Sequence, residues 1–178
     1  EVEFLLCSCS GTKGLFAVPD EHNVRVIAAP YGTRIPLLWR DGIRACLADR
    51  VALTTAHCVP SANWVERVLT YAMSDNCVAV GGAIKNADND SNIGSMVYLL
   101  RYVRFTAAKA SGLVDDIAAD NAVYRKADIL EHPDLLNIGF WEPSFHQRFV
   151  ADGKQIRFDN ELLVVHKNCY SAVSYTHL

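Results

Sequence analysis

Apolar and polar positions along this chain follow two rhythms. Short apolar runs bounded by turn residues predict strands over residues 2–7, 24–28, 51–55, 78–82, 155–158 and 162–165. Apolar residues spaced three and four apart predict helices over 37–48, 61–74, 93–105, 126–132 and 142–152. Ser61 stands where an N-cap belongs, and Trp64, Val65, Val68 and Leu69 share one face of the helix that follows. Residues 8–14 form a Ser/Gly turn, Pro30, Gly32 and Pro36 punctuate a loop, and 86–92 and 106–118 read as loops. Strands separated by helices of this length predict an α/β fold with a mostly parallel sheet and helices on both faces. Ligands of such sheets sit beyond the carboxyl ends of the strands. Chemistry is therefore expected in the loops after Leu6, Thr55, Gly82 and Val165.

Composition narrows the picture. A length of 178 residues fits one domain with a real core, and 51% hydrophobic with 21% charged residues is an ordinary globular balance. The formal net charge of -3 supplies no basic excess to displace counterions, which argues against a nucleic-acid partner. The six cysteines, at 7, 9, 46, 58, 77 and 169, form no Cys-x-x-Cys pair and lie in apolar segments. They read as buried thiols of a reducing compartment rather than a zinc site. No apolar run is long enough to span a bilayer, and no basic segment leads into an apolar signal core. The chain opens without Met on a strand pattern and is expected to be a piece of a longer protein. Residues 173–178 follow no element pattern and are expected to be a non-native or disordered tail, leaving 1–172 as a single domain.

One short motif misleads. Leu53-Thr54-Thr55-Ala56-His57-Cys58 resembles the histidine motif of trypsin-like proteases, and Asp115-Asp116-Ile117-Ala118 faintly echoes their aspartate motif. A serine triad also needs a nucleophile beside oxyanion-binding amides. The Gly-Asp-Ser-Gly stretch that provides it is absent from the sequence, and the α/β alternation conflicts with an all-β barrel.

A longer series of motifs agrees with the α/β pattern. Val2-Glu3-Phe4-Leu5-Leu6 leads into Ser8-Cys9-Ser10-Gly11-Thr12. Trp39-Arg40-Asp41-Gly42-Ile43-Arg44-Ala45 opens a helix. Val51–Pro60 precedes Asn63-Trp64, and Val80-Gly81-Gly82-Ala83-Ile84 ends in paired glycines. Asp120-Asn121-Ala122-Val123-Tyr124-Arg125 follows, then Gly139-Phe140-Trp141-Glu142 with Arg148 six residues on, and Val164-Val165-His166. In this order the motifs resemble family 2 glycosyltransferases of the GT-A fold, over nearly all of residues 1–168, with the family's first strand lying upstream.

The resemblance implies a sugar transferred from a nucleotide-sugar donor to a hydroxyl acceptor by inverting displacement, in cell-envelope or polysaccharide synthesis. Glu142 falls at the family's catalytic carboxylate and would take the acceptor proton, its basicity raised beside Phe140 and Trp141. As the first residue of a helix it also reads as a plain capping residue. Arg40 and Asp41 would lie at the donor diphosphate, although a solvated helix arginine is equally open. Gly81 and Gly82 would admit the donor sugar or simply turn the chain. Asp120 or Asn121 would hold sugar hydroxyls, and Trp141, His146 and Arg148 would line the acceptor side, His146 either touching acceptor or packing. Thr55 and His57 stand where the family carries two metal-binding acids, and Ser8 stands in the base-binding turn. His57 and His166 are thus the candidate ligands for a divalent ion, Mn²⁺ or Mg²⁺. The implied partners are a nucleotide-sugar and a glycan or lipid-linked acceptor. The implied location is the cytoplasm, with peripheral association at the inner face of a membrane, and residues 96–105 either lean on that surface or, the more usual reading of such a helix, pack into the core. The alternative is a catalytically degenerate GT-A domain that binds glycans or scaffolds a partner.

Overall fold

The computed structural model describes residues 2–9, 23–71, 76–87 and 92–167. It divides into two units, Glu1–Val51 with Arg125–Phe145, and Ala52–Tyr124 with His146–Leu178. The expected 8–14 turn beyond Cys9, the helix segment 72–75, Cys169 and the tail lie outside the described residues.

In the first unit β1 (Phe4–Ser8) pairs in parallel with β2 (Val24–Ala28), Phe4 opposite Val24 and Ser8 opposite Ala28. Helix α1 (Ile35–Ala45) begins two residues before its expected start. Pro36, read as a loop residue, occupies the first turn, where a missing N–H costs nothing. The helix closes with the Cys46 N–H donating to Gly42 O at 2.8 Å. Gly42 is buried against β1, and a Cβ there would stand 2.9 Å from Cys7 Sγ, so the close approach needs glycine. Burial, with the Asp41 charge second, pushes the Cys7 thiol above its ordinary pKa. Glu3 ties the layer together, accepting from Arg25 and from the Leu47 N–H at 2.9 Å each. Helices α4 (Lys126–Leu130) and α5 (Pro133–Ile138) follow. The expected 126–132 helix stops early because Pro133 disfavours helical backbone at His132 and starts a helix of its own. Gly139, at φ 123°, redirects the chain so that the Phe140 N–H reaches Pro36 O at 2.8 Å. Phe140 then meets Trp39 edge-on and Phe145 at 4.6 Å between centroids.

The larger sheet has the order β3-β7-β5-β8-β4, with β6 added on β8. Its strands are β3 (Arg50–Thr54), β4 (Cys58–Pro60), β5 (Cys77–Asn86), β6 (Gly112–Val114), β7 (Asn121–Arg125) and β8 (Gln155–His166). The α/β class holds, but this sheet is mixed rather than mostly parallel. β5 and β8 run parallel, whereas β7 is antiparallel to β5, and β4 and β6 are antiparallel to β8. β4 and β6, read as loop, are three-residue additions too short to show a period. β8 was expected as two strands, because Asp159-Asn160-Glu161 reads as a polar break. The structure absorbs that break as a bulge: Gly82 faces Asp159 and Ala83 already faces Leu163. The Asp159 carboxylate accepts from Arg67 at 2.7 Å and Tyr71 at 2.6 Å, and Arg67 also reaches Glu161 at 2.8 Å.

Around the sheet lie α2 (Trp64–Thr70), α3 (Asn92–Tyr102) with a 3₁₀ turn at Val103–Phe105, and α6 (Glu142–Ala151), which begins in the first unit. The N-cap of α2 is Asn63, not Ser61; Ser61 instead donates its hydroxyl to Asn63 Oδ1 at 2.9 Å in the preceding turn. Tyr98, Tyr102 and Phe105 enter a core with Trp64, Ile84, Val123, Phe158, Leu162 and Val164. Among the described residues no helix is long and apolar enough to cross a membrane.

Candidate active site at the ends of β3, β7 and β8

Chemistry-bearing side chains of the second unit gather at one edge of its sheet. Thr55, Ala56 and His57 turn the chain from β3 into β4, and the turn closes through the Cys58 N–H to Thr55 O at 3.0 Å. His57 O accepts from the Lys167 N–H at 2.7 Å, and the β4–β8 register sets Cys58 opposite His166. Thr55 Oγ1 donates to Asp120 Oδ1 at 3.0 Å. Asp120 is 4% exposed, and Arg101 stands 3.8 Å from its other oxygen while lying over the Tyr102 ring. A carboxylate therefore does reach position 55, from the start of the neighbouring strand β7 rather than from position 55 itself.

His166 is fully buried, its ring 5.0 Å from Tyr102, 6.5 Å from Tyr98 and 6.4 Å from the exposed His57, centroid to centroid. Burial, with the Asp120 charge second, pushes the Cys58 thiol up to about 11. Cys58 thus favours the protonated thiol at neutral pH. Burial and the Asp120 charge raise the Tyr102 phenol as well.

Two expected ligand-binding groups turn out to hold the sheet. Asn121 is fully buried and its amide is saturated. Its NH₂ donates to Ala83 O at 2.9 Å and Leu162 O at 2.8 Å, and its oxygen accepts from Trp64 Nε1 at 2.8 Å. Trp can only donate, which fixes the orientation of the amide. Fully buried among these partners, Asn121 is closed off from a sugar hydroxyl. Gly81 and Gly82 lie inside β5, not at its end. A Cβ on Gly82 would sit 2.1 Å from Leu162 O and 2.3 Å from Asn121 Nδ2, and one on Gly81 would sit 2.3 Å from Ile117 Cβ. The space above both glycines is filled by protein, so they serve close packing rather than the approach of a donor.

His146 is likewise consumed internally. It is 1% exposed, with Nδ1 2.7 Å from Asp116 Oδ1 and Nε2 3.0 Å from the buried Tyr124 hydroxyl. The carboxylate can only accept, so Nδ1 carries the donated proton, and Nε2 and the Tyr124 hydroxyl share the second hydrogen bond. Burial works to raise the Asp116 carboxyl, but the His146 hydrogen bond and charge, with Arg104, hold it below the ordinary range. Asp116, the apparent protease aspartate, is thus bound to His146 and Arg104. Arg148 is half-buried in the last turn of α6.

In the first unit Arg40 donates from Nε to its neighbour Asp41 at 2.7 Å and from Nη1 to Asn137 O at 3.3 Å. Trp141 is 40% exposed and donates to Ile138 O at 3.2 Å. Glu142 is half-buried and opens α6.

A divalent ion is not provided for by these side chains. Mg²⁺ and Mn²⁺ favour hard oxygen ligands, yet the ring pair offered is His57 with His166. Among the described residues no three His, Cys, Asp or Glu side chains come together to hold a metal. Tyr98, Tyr102 and Arg101 were not expected at this site. The four-residue spacing of Tyr98 and Tyr102 on an amphipathic helix was the available signal, and it marks a shared face without saying what that face covers.

This α/β unit carries its polar cluster at the end of β3, the start of β7 and the end of β8, and its class agrees with the GT-A fold. The sequence profile described as Glycosyl transferase family 2 matches residues 11–132, more than half of the chain, and the protein belongs to that family. It is a glycosyltransferase, and the family's reaction implies a nucleotide-sugar donor and an acceptor. Divalent metals are common among members of the family. The match covers Arg40, His57, Gly82 and Asp120 and ends before Glu142 and His166. No curated protein matches the chain.

Proposed function

We propose that this chain moves a sugar from a nucleotide-diphosphate donor to a hydroxyl of a glycan or lipid-linked acceptor, with inversion, at the cytoplasmic face of a membrane in envelope or polysaccharide synthesis. The observation that carries the reading is the Thr55–Asp120–Arg101 cluster at the strand ends, within the span matched by the family profile. Asp120 is the group to hold donor hydroxyls, with Thr55 and Arg101 orienting its two oxygens. The exposed imidazole of His57 lies in the same turn as Thr55 and suits the diphosphate as a hydrogen-bond donor. Glu142 is the proposed base. In its favour are its position at the start of α6, the aromatic pair Phe140-Trp141 before it and Arg148 six residues on. Inverting transfer asks one carboxylate to take the acceptor proton as the hydroxyl attacks the anomeric carbon, while the diphosphate leaves.

Thermal-shift titration with UDP-, GDP- and dTDP-sugars, with and without Mn²⁺, tests the reading. Stabilisation by one nucleotide class supports it and identifies the base; a well-folded protein unmoved by every donor supports the degenerate binding module instead. Donor turnover abolished in Glu142→Gln, with donor binding kept, would assign the base.

A further inference from the structure

A cavity of about 470 Å³ opens in the first unit where β3 begins and β7 ends, a size within the ~300–1,000 Å³ of small-molecule sites. Thr55 follows the other end of β3 and Asp120 precedes β7, so the cavity is separate from the strand-end cluster. Its lining is largely apolar: Leu47, 81% exposed, and Leu130, 45% exposed, together with Ala48 and Ala127. Two opposite charges share that lining, Asp49 and Lys126. The backbone holds them in place, the Lys126 N–H donating to Asp49 O at 2.8 Å. The half-buried Lys126 ammonium donates to Cys46 O. Among the described residues neither side chain is in an ion pair, with the other or with a third group. Arg125, which also lines the cavity, is taken instead by the buried Asp128, through Nε and through Nη2 at 2.9 Å.

We propose that this cavity binds a free α-amino acid with an aliphatic side chain. Charge selects the class. Opposite charges that line one cavity without meeting each other fit a ligand that carries both signs. An ammonium has three hydrogens and the Cys46 carbonyl takes one, so Lys126 keeps donors for the ligand's carboxylate. The Asp49 carboxylate only accepts, and it takes the ligand's ammonium. Leu47 and Leu130 cover the aliphatic side chain and lose contact with water as they do so. A simple anion would meet Asp49 as a like charge, and a simple cation would meet Lys126 in the same way. The doubly charged diphosphate of a nucleotide-sugar is disfavoured on the first ground. Neither Asp120 nor Glu142 takes part, and glycosyl transfer does not depend on this site.

The test is titration of the full chain with L-leucine, followed by amide chemical shifts in nuclear magnetic resonance. Saturable shifts centred on Ala48 and Ala127 are expected. Two leucine analogues each lack one charge, 4-methylpentanoate the ammonium and 3-methylbutylamine the carboxylate. Each should bind at least roughly ten-fold more weakly than leucine. Lys126→Met and Asp49→Asn should each weaken leucine by about ten-fold, and Leu130→Ala by about three-fold. Thermal unfolding confirms that each variant is folded, and Asp49→Asn, an exposed position, keeps the test open if Lys126→Met does not fold. Absence of saturable shifts with leucine overturns the proposal. So does equal binding of 4-methylpentanoate, or unchanged leucine affinity in the folded charge variants. Nucleotide-sugar binding should be the same in Asp49→Asn as in the wild type; its loss there would make the cavity part of the donor site and overturn the proposal too. A chain that binds a nucleotide-sugar but no leucine leaves glycosyl transfer standing, and the converse result leaves the cavity standing without it.

Discussion

Asp120 and Asn121 adjoin in the chain but belong to two regions that treat polar groups differently. At Asn121 both amide hydrogens and the amide oxygen have protein partners, and at Gly82 the backbones approach too closely for a methyl group. Around Asp120, Thr55 and His57 one hydrogen bond at 3.0 Å, an ion pair at 3.8 Å and an exposed imidazole in a turn take the place of that close packing. Motif residues thus divide into those that clamp β5, β7 and β8 and those proposed to meet a ligand. A buried, saturated polar group is expensive to alter and offers nothing outward; a strand-end group is the reverse.

The largest expected effect tests the clamped region. Gly82→Ala forces a Cβ onto Leu162 O and should cost ~3 kcal/mol or more, lowering Tm by roughly 6–12 °C. A variant that melts like wild type but loses donor binding would break the comparison. Next is Asn121→Ala, which leaves the Trp64 N–H and two carbonyls unanswered. About 2–3 kcal/mol should be lost in urea unfolding, with donor affinity per folded molecule nearly unchanged. In the strand-end region the balance reverses. Asp120→Asn should weaken donor binding by ten-fold or more, ~1.4 kcal/mol, in calorimetric titration while costing less stability than Asn121→Ala. His57→Ala should move stability within about 0.5 kcal/mol and still weaken donor binding measurably.

The smallest effect is acid sensitivity. Burial raises the Asp159 carboxyl, but hydrogen bonds from Tyr71, Arg67 and the Glu161 N–H outweigh it and hold the group below 3.8. Asp116 is held low in the same sense. A depressed folded pKa means stability that is complete well above the unfolded value and lost as pH falls through the folded one. Urea midpoints should therefore be flat above about pH 5 and fall below pH 4, and Asp159→Asn should shallow that fall. An unchanged slope would remove Asp159 from the clamp.

Much of the fold was legible because long periodic segments carry their own signal. The strand at 24–28 and the starts of α6 and β8 agree with their patterns. What escaped depended on partners. β4 and β6 exist as strands through β8, and Asp159-Asn160-Glu161 looks like a loop until Arg67 and Tyr71 are seen to hold it. The site was legible as residue types but not as roles. Asn121 and Asp120 read as interchangeable sugar ligands, because nothing in a one-dimensional pattern shows that Trp64, Ala83 and Leu162 already occupy one of them. For His146 acceptor contact and packing both stayed open for the same reason, since Asp116 lies thirty residues away in the chain.

β8 has a consequence for synthesis. It is the shared neighbour of β4, β5 and β6, and β5 ends at Asn86 while β8 begins at Gln155. At ordinary translation rates the long, almost wholly apolar β5 waits on the order of several seconds for that partner. During that interval one edge of the future sheet is an open template for another nascent chain. The yield of this enzyme in a cell should therefore depend on chaperone capacity and growth temperature more steeply than the stability of the finished molecule would suggest.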